Sequence, residues 1–159
     1  MALSLVGTAS GTGTAASYTV DLSAISIQQG DIVVVASAYV TLGGFSGPDP
    51  TVTGNNSGAY STGLGAAGHP VNYWTTNFLL FYKVQGATVD TSLTVTRSAS
   101  ATGGGGTVVQ VWRGAKSGGP FDVIGTTATG TNASRANAPS VTPVTSGAIV
   151  IAAGAGSQG

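Results

Sequence analysis

Short runs of apolar, mostly β-branched residues, each cut off by glycine, asparagine, aspartate or proline, recur from one end of this chain to the other. Asp31-Ile-Val-Val-Val-Ala36, Phe78-Leu-Leu-Phe-Tyr82 and Ala148-Ile-Val-Ile151 are typical, and 26 glycines separate such runs. Runs this short bounded by turn formers are strands, because valine, isoleucine and threonine pack well on a pleated surface and lose side-chain freedom in a helix. No window sustains a 3.6-residue apolar period; the one stretch with room for a helical turn is 20–29. The spacing predicts strands near 2–8, 16–22, 31–41, 50–54, 76–85, 88–97, 106–113, 121–129 and 147–154. From Leu93 onward the segment 88–97 alternates apolar and hydroxyl residues, as a strand with one buried face does, whereas 31–36 and 149–153 are apolar on both faces, as in strands covered on both sides. About nine short strands with frequent turns predict an all-β chain folded as a β-sandwich of jelly-roll type.

A chain of 159 residues is expected to form one domain over 1–159, able to bury about 70% of its unfolded surface without a disulfide or a metal. Gly30-Asp-Ile-Val-Val-Val-Ala-Ser-Ala38 and Gly147-Ala-Ile-Val-Ile-Ala-Ala-Gly-Ala155 agree at five of nine positions. Two core strands under one constraint explain this. An apolar strand so close to residue 159 is also what a duplicated sandwich, truncated at its C-terminus, would show.

Charge is scarce. Only 6% of residues are charged, the formal net charge is zero, and the chain has no glutamate, no cysteine and a single histidine. Duplex binding is driven by lysine and arginine neutralising phosphates, so Lys83, Arg97, Arg113, Lys116 and Arg135, thinly spread, argue against nucleic acid as a partner. No apolar stretch reaches the length of a membrane-spanning helix. The opening Met1-Ala-Leu-Ser-Leu-Val-Gly7 lacks the basic region and apolar length of a signal peptide, so synthesis in the cytoplasm without export is expected. A near-neutral surface offers little repulsion between copies, which points toward life in an assembly.

The motifs that could carry chemistry are weak. Gly154-Ala-Gly156-Ser-Gln-Gly159 has the letters of a dinucleotide fingerprint, but no helix follows to hold a pyrophosphate and no βαβ unit precedes it. His69, in Gly68-His-Pro70, is the one imidazole base available for nucleophilic catalysis, with Asp49 or Asp90 as its partner. Gly44-Phe-Ser46-Gly47-Pro48 lacks the glycine placement of a nucleophile elbow. Asp21, Asp31, Asp49, Asp90 and Asp122 are scattered, without the pairing of a glycosidase or the oxygen-rich loop of a calcium site; Asp31 and Asp122 read as residues at strand starts. No enzyme activity, catalytic residue, metal or cofactor is expected. Residues 42–48 and 54–75 read as loops, the second long for a domain of this size, and Gly103–Gly106 as a hairpin tip. Trp112, Phe81 and Phe78 read as core. Tyr60, Tyr73 and Trp74, in or beside the long loop, are the residues placed to form a ligand or partner surface; otherwise they cover one end of the sandwich.

The order of the elements is similar to one known group. Gly30-Asp-Ile-Val-Val-Val-Ala36 is followed by Leu79-Leu-Phe-Tyr-Lys-Val-Gln-Gly86, then Leu93-Thr-Val-Thr96. Val111-Trp-Arg-Gly-Ala115, Pro120-Phe-Asp-Val123 and Ala138-Pro-Ser-Val-Thr-Pro143 come next, ahead of Gly147-Ala-Ile-Val-Ile151. Over about residues 28–155 this resembles the β-sandwich structural proteins of tailed bacteriophages, which serve as head decorations, head fibres or tail-fibre components. His69-Pro-Val-Asn-Tyr-Trp74 meets the usual Gly-Trp after a proline only loosely. The resemblance implies a non-enzymatic virion protein at the surface of the phage particle, decorating or projecting from the capsid, with like subunits and the major capsid or tail protein as partners. It carries no site residues. The competing expectation is a carbohydrate-binding module or receptor-binding tail-fibre domain, stacking host surface glycan on Tyr60, Tyr73 and Trp74.

Overall fold

Alternation along the valine-rich segments sets the architecture. In the computed structural model the described residues are 3–42, 50–67, 74–97, 103–116, 119–128 and 139–155. They form nine strands and no helix: β1 (Ser4–Gly13), β2 (Ser17–Asp21), β3 (Ile32–Leu42), β4 (Thr51–Gly54), β5 (Gly58–Ala59), β6 (Ser61–Ala67), β7 (Trp74–Val84), β8 (Ser92–Thr96) and β9 (Gly105–Arg113). One antiparallel sheet has the order β1-β9-β3-β7-β6 and the other β2-β8-β4-β5.

The pairings explain that order. β1 pairs with β9, β2 with β8, β3 with β7 and β4 with β5, so first meets last along an antiparallel ribbon whose tip is the β4–β5 turn. Rolling the ribbon lays β3 against β9 and β4 against β8, which closes two sheets face to face. This is the winding of a jelly roll, with β6 added beside β7 as an extra edge strand.

The core lies between the sheets. Val33, Val35 and Tyr39 of β3, Leu79 and Phe81 of β7, and Val109 and Val111 of β9 meet Val20 of β2, Val52 of β4, and Leu93 and Val95 of β8. Each such aliphatic side chain, taken fully out of water, stabilises the fold by about 1.5–3 kcal/mol. A polar strip crosses this layer without leaving a group unpaired: the Thr107 hydroxyl donates to Ser37 Oγ at 3.0 Å and lies 2.7 Å from the Tyr18 hydroxyl.

β3 is covered on both faces, as its sequence requires: Ile32 and Val34 point away from the inter-sheet core yet are only 5% and 7% exposed. Several other expectations need correction. Residues 121–128 and 147–154 hold no strand; 147–154 has the side chains of a strand but no backbone ladder. The supposed 54–75 loop contains β5 and β6 instead. Ser61-Thr-Gly-Leu-Gly-Ala-Ala67 has a weak intrinsic preference for strand, but β7 offers it an open edge to pair with. Gly103–Gly106 is not a hairpin tip, because β8 and β9 belong to different sheets and Gly105 and Gly106 are already in β9. The 20–29 stretch turns at Leu22–Ile25, where Ile25 N–H bonds Leu22 O at 2.9 Å, and does not go on into a helix.

Candidate functional site

A ribbon that changes sheets must bend, and at each bend backbone groups leave the ladder. Among the described residues, Asp31, Asp90, Arg97 and Arg113 sit at those places. At one end the β1–β2 corner and the β8–β9 crossing lie together. Arg97, 4% exposed, spans them: its guanidinium donates to Ala15 O at 3.0 Å through Nε and again through Nη2, and to Gly103 O at 2.6 Å. Its own N–H bonds Ala16 O.

At the other end the β2–β3 and β7–β8 connections run side by side. Gly30 N–H donates to Gln85 O, Gln85 N–H to Asp31 O, and Leu22 N–H to Thr91 O, each at 2.8–2.9 Å, so ribbon pairing continues through the bend. Asp31, directly before β3, is 1% exposed and receives a fork from Arg113 at the end of β9, Nε to Oδ1 and Nη2 to Oδ2, both 2.8 Å. Gln28 N–H adds a third bond, and Arg113 also holds Ser26 O. Burial pushes the Asp31 carboxyl upward, but the Arg113 hydrogen bond, the Gln28 amide and the Arg113 charge together hold it below its usual range.

The densest cluster joins this bend to the ribbon tip. Asp90, 1% exposed, accepts Asn56 N–H at 2.9 Å and Ser57 N–H at 2.8 Å on Oδ1. Its Oδ2 takes the Ser57 hydroxyl, the Tyr60 hydroxyl at 2.9 Å and Gln85 Nε2 at 3.3 Å. Gln85 Oε1 in turn accepts Asp90 N–H at 2.8 Å. Asn55 and Asn56 extend the clamp, Asn55 Oδ1 accepting Thr91 and Ser92 N–H and Asn56 donating to Val89 O. Gly54 and Gly58 make the approach possible. A Cβ on Gly54 would run into the Asp90 carboxylate, and Gly58 closes the turn at φ +74°, a left-handed conformation that favours glycine. Lys83 reaches over, donating to Ser57 O and to Ala59 O at 3.0 Å, with Nζ 5.7 Å from the Tyr60 ring centre.

Burial again pushes Asp90 upward, and the Ser57 hydroxyl, the Asn56 and Ser57 amides and Tyr60 outweigh it, holding the group ionised. Burial and the neighbouring Asp90 charge drive the Tyr60 hydroxyl strongly upward, so it stays a neutral donor. Five donors converge on a carboxylate with about four lone-pair sites. A general base needs a lone pair open to its substrate, and here every position is taken by the protein. The cluster is a clamp.

Tyr60, expected at a ligand surface, lies in the inter-sheet core at 6% exposed and presents no ring face to solvent. Trp74 begins β7. Tyr73, His69 and Asp49 lie outside the described residues, so the constellation of His69 with Asp49 or Asp90 is represented only by Asp90, inside the clamp. Asp122 starts no strand. It caps a turn, accepting Val144 N–H at 2.7 Å, Thr145 N–H at 3.0 Å and the Thr145 hydroxyl. Among the described residues no three histidine, cysteine, aspartate or glutamate side chains gather as metal ligands. Reasoning from sequence missed the Asp90–Gln85–Tyr60 unit; Asn55-Asn-Ser-Gly58 was its visible signal, a turn-former run.

The second feature is the outer face of the five-stranded sheet. Antiparallel sheets usually turn polar residues to water on one side. Here Val34, Ala36, Leu80, Tyr82, Val108 and Trp112 share the outward side with one polar residue, Gln110, which accepts from Trp112 Nε1 at 3.1 Å. Described residues after β9 lie on this face. Phe121 meets Tyr82 edge to face at a centroid distance of 4.5 Å, and Ile151–Gly154 lie over Val34, Ala36, Leu80 and Val108. No family model matches the chain, and neither a curated protein nor a solved structure matches it.

Proposed function

We propose that this protein is a non-enzymatic structural component of a tailed-phage particle, a jelly-roll subunit that decorates or projects from the capsid. The observation that carries the reading is the division of labour among its side chains. Asp31, Asp90, Arg97 and Arg113 hold the bends of the ribbon, while the outward side of β3, β7 and β9 is mostly apolar, with Gln110 among Val34, Leu80 and Val108. A subunit built this way binds neighbours through shape and apolar contact. The resemblance of the element order over 28–155 to phage β-sandwich proteins supports the same reading, and jelly rolls serve viral capsids widely. Fold alone does not assign function.

The partners are like subunits and the capsid or tail protein, and the location is the particle surface. The rival, a sugar-binding module, loses Tyr60 as a stacking platform and rests on Tyr73 and Trp74. Gold-labelled antibody against this chain, applied to particles of the encoding phage and viewed by electron microscopy, tests the proposal. Regular label over the head is the expected result. Label confined to the tail moves the protein to host attachment, and particles without label overturn the virion reading.

A further inference from the structure

This molecule has a sheet edge without a strand and a strand-like segment without a sheet. The edge is β1, which pairs with β9 on one side and ends the five-stranded sheet on the other. Open edges are usually blunted by a charged side chain, a proline, a bulge or brevity. Ser4–Gly13 holds no charge and no proline, and beyond its one bulge, at Leu5/Gly7, the seven residues Gly7–Gly13 keep unbroken register with β9. The other edges are poorer: β5 has two residues, β2 has five and ends on Asp21, and β6 keeps register for four residues after its own bulge. The core also stops short at the β1 margin. Val6 and Ala9 of β1, Tyr18 of β2, and Ile25 and Ile27 of the following connection pack against it yet stay only partly buried. A Cβ on Gly7 would meet Ile25 at 3.0 Å and one on Gly13 would meet Tyr18 at 2.9 Å, so this half-covered rim runs alongside the strand.

The segment is Ala148–Ala153. Gly147–Ala155 shares five of nine residues with Gly30–Ala38, and in β3 that pattern is paired along both edges. After β9 it makes no ladder. It rests on the outer sheet face beside an open crevice of about 240 Å³, with Ile149 and Val150 still 42% and 53% exposed. We infer that Ala148–Ala153 of a second copy adds to β1 as a sixth strand of the sheet. The six uncharged residues match the seven-residue open run. Ile149 and Ile151, two apart, share one face of a strand and turn onto the rim of Ile25 and Tyr18, while main-chain hydrogen bonds supply the attachment, as in strand addition generally. The donor is another molecule because the segment of the same molecule is moored too far away. Thr145 is tied to Asp122, next to Phe121, which packs on Tyr82 of β7. The vacant position beyond β1 lies four strand spacings from β7, about 19 Å at about 4.8 Å each, whereas the chain from Thr145 to Ala148 spans at most about 11 Å. Each copy gives a strand at one place and takes one at another, a head-to-tail contact that builds rings or filaments. This inference concerns the purified chain and stands or falls separately from the virion reading.

Sedimentation velocity on the full chain, from about 1 to about 200 µM, follows association by mass action, and the wild type is expected to pass from monomer to larger species across that range. Ile149→Pro combined with Val150→Pro removes two successive N–H groups, one of which faces the β1 edge in any register, and is expected to raise the association midpoint at least about tenfold. Both positions lie outside the two sheets, so the sandwich stays folded, which thermal melting verifies. Cross-linking reads the location, since the chain has no cysteine. Ser10→Cys mixed with Ala148→Cys, Val150→Cys or Ala152→Cys is expected to give mixed disulfide dimers under mild oxidation, directly opposed residues of paired strands being about 5 Å apart. Ser10→Cys mixed with Val144→Cys, exposed but outside the segment, is expected to give only the collisional background. A wild type that stays monomeric at about 200 µM overturns the inference. So does association that ignores the double proline, or cross-linking no greater than with Val144→Cys.

Discussion

Replacing Asp90 with alanine separates a structural clamp from a functional site by the sign of one number. The substitution removes the acceptor for Asn56 N–H, Ser57 N–H, Ser57 Oγ–H, Tyr60 O–H and Gln85 Nε2–H. Water can reach the two amides, since Asn56 is exposed and Ser57 half-buried, so their loss is partly made good. Tyr60 is 6% exposed and Gln85 2%; the Tyr60 hydroxyl loses its acceptor in the core, while Gln85 Nε2 keeps only the Tyr60 oxygen at 3.0 Å. A hydrogen bond to a charged group contributes about 1.5–3 kcal/mol, and a stranded buried donor costs about 1–3 kcal/mol. These effects overlap, giving a loss of about 3–5 kcal/mol, a large share of the roughly 5–15 kcal/mol that holds a domain together. At about 2–4 °C per kcal/mol for a chain of this size, Tm falls by roughly 6–20 °C. Guanidinium unfolding followed by circular dichroism measures the same loss as a lower midpoint with unchanged slope. Tyr60→Phe removes the donor to Asp90 and the acceptor of Gln85 Nε2 and is expected to cost about 1–2 kcal/mol, a cost that shrinks but does not vanish when Asp90 is already alanine. Side chains kept for chemistry are commonly unfavourable for stability, so removing one stabilises. A rise in Tm for Asp90→Ala, or a change smaller than about 0.5 kcal/mol, refutes the clamp.

Further outcomes follow from the same structure. Both buried carboxyls, Asp31 and Asp90, are held below their ordinary values. Their contribution is therefore fully present above about pH 4 and is lost as pH falls through the lower folded values; a series of melts from pH 7 to pH 2 should show Tm flat at first and then dropping, and a Tm that rises on acidification contradicts it. Arg113→Lys keeps the charge but loses the fork on Asp31 and the bond to Ser26 O, and is expected to lower the midpoint of chemical unfolding. Gly54→Ala forces a methyl group against the Asp90 carboxylate and should destabilise by at least about 1–3 kcal/mol, the usual cost of overpacking, whereas Gly86→Ala, where nothing lies within 4 Å, should leave Tm unchanged. Trp74→Ala should leave retention on cell-surface polysaccharide unaltered in a pull-down; loss of such binding would revive the sugar-binding reading.

How much of this was legible beforehand depended on whether the signal was local. Ile32–Ala36 could be recognised as a strand covered on both sides because its pattern is continuous and β-branched, and β8 because Leu93 and Val95 alternate with threonines. β6 was hidden, since Ser61–Ala67 becomes a strand only through the edge that β7 offers. The opposite case is Gly147–Ala155, where the side chains ask for a strand but the segment lies on the sheet face and joins no edge. In the sequence Asp90 looks like a scattered acid because its partners lie 5 to 34 residues away, a distance that only the rolled ribbon closes. Tyr60 follows a turn-former run, which in the sequence points to a surface, while its hydroxyl reaches inward to Asp90.

The claim that this is a capsid- or tail-bound structural subunit is tested most directly by washing purified particles of the encoding phage in rising salt and quantifying the chain that stays with them by mass spectrometry. Contacts made through an apolar face predict that it remains bound, in constant proportion to the major capsid protein, from about 0.1 to about 1 M NaCl. Absence from the particles, or release by moderate salt, would contradict the account.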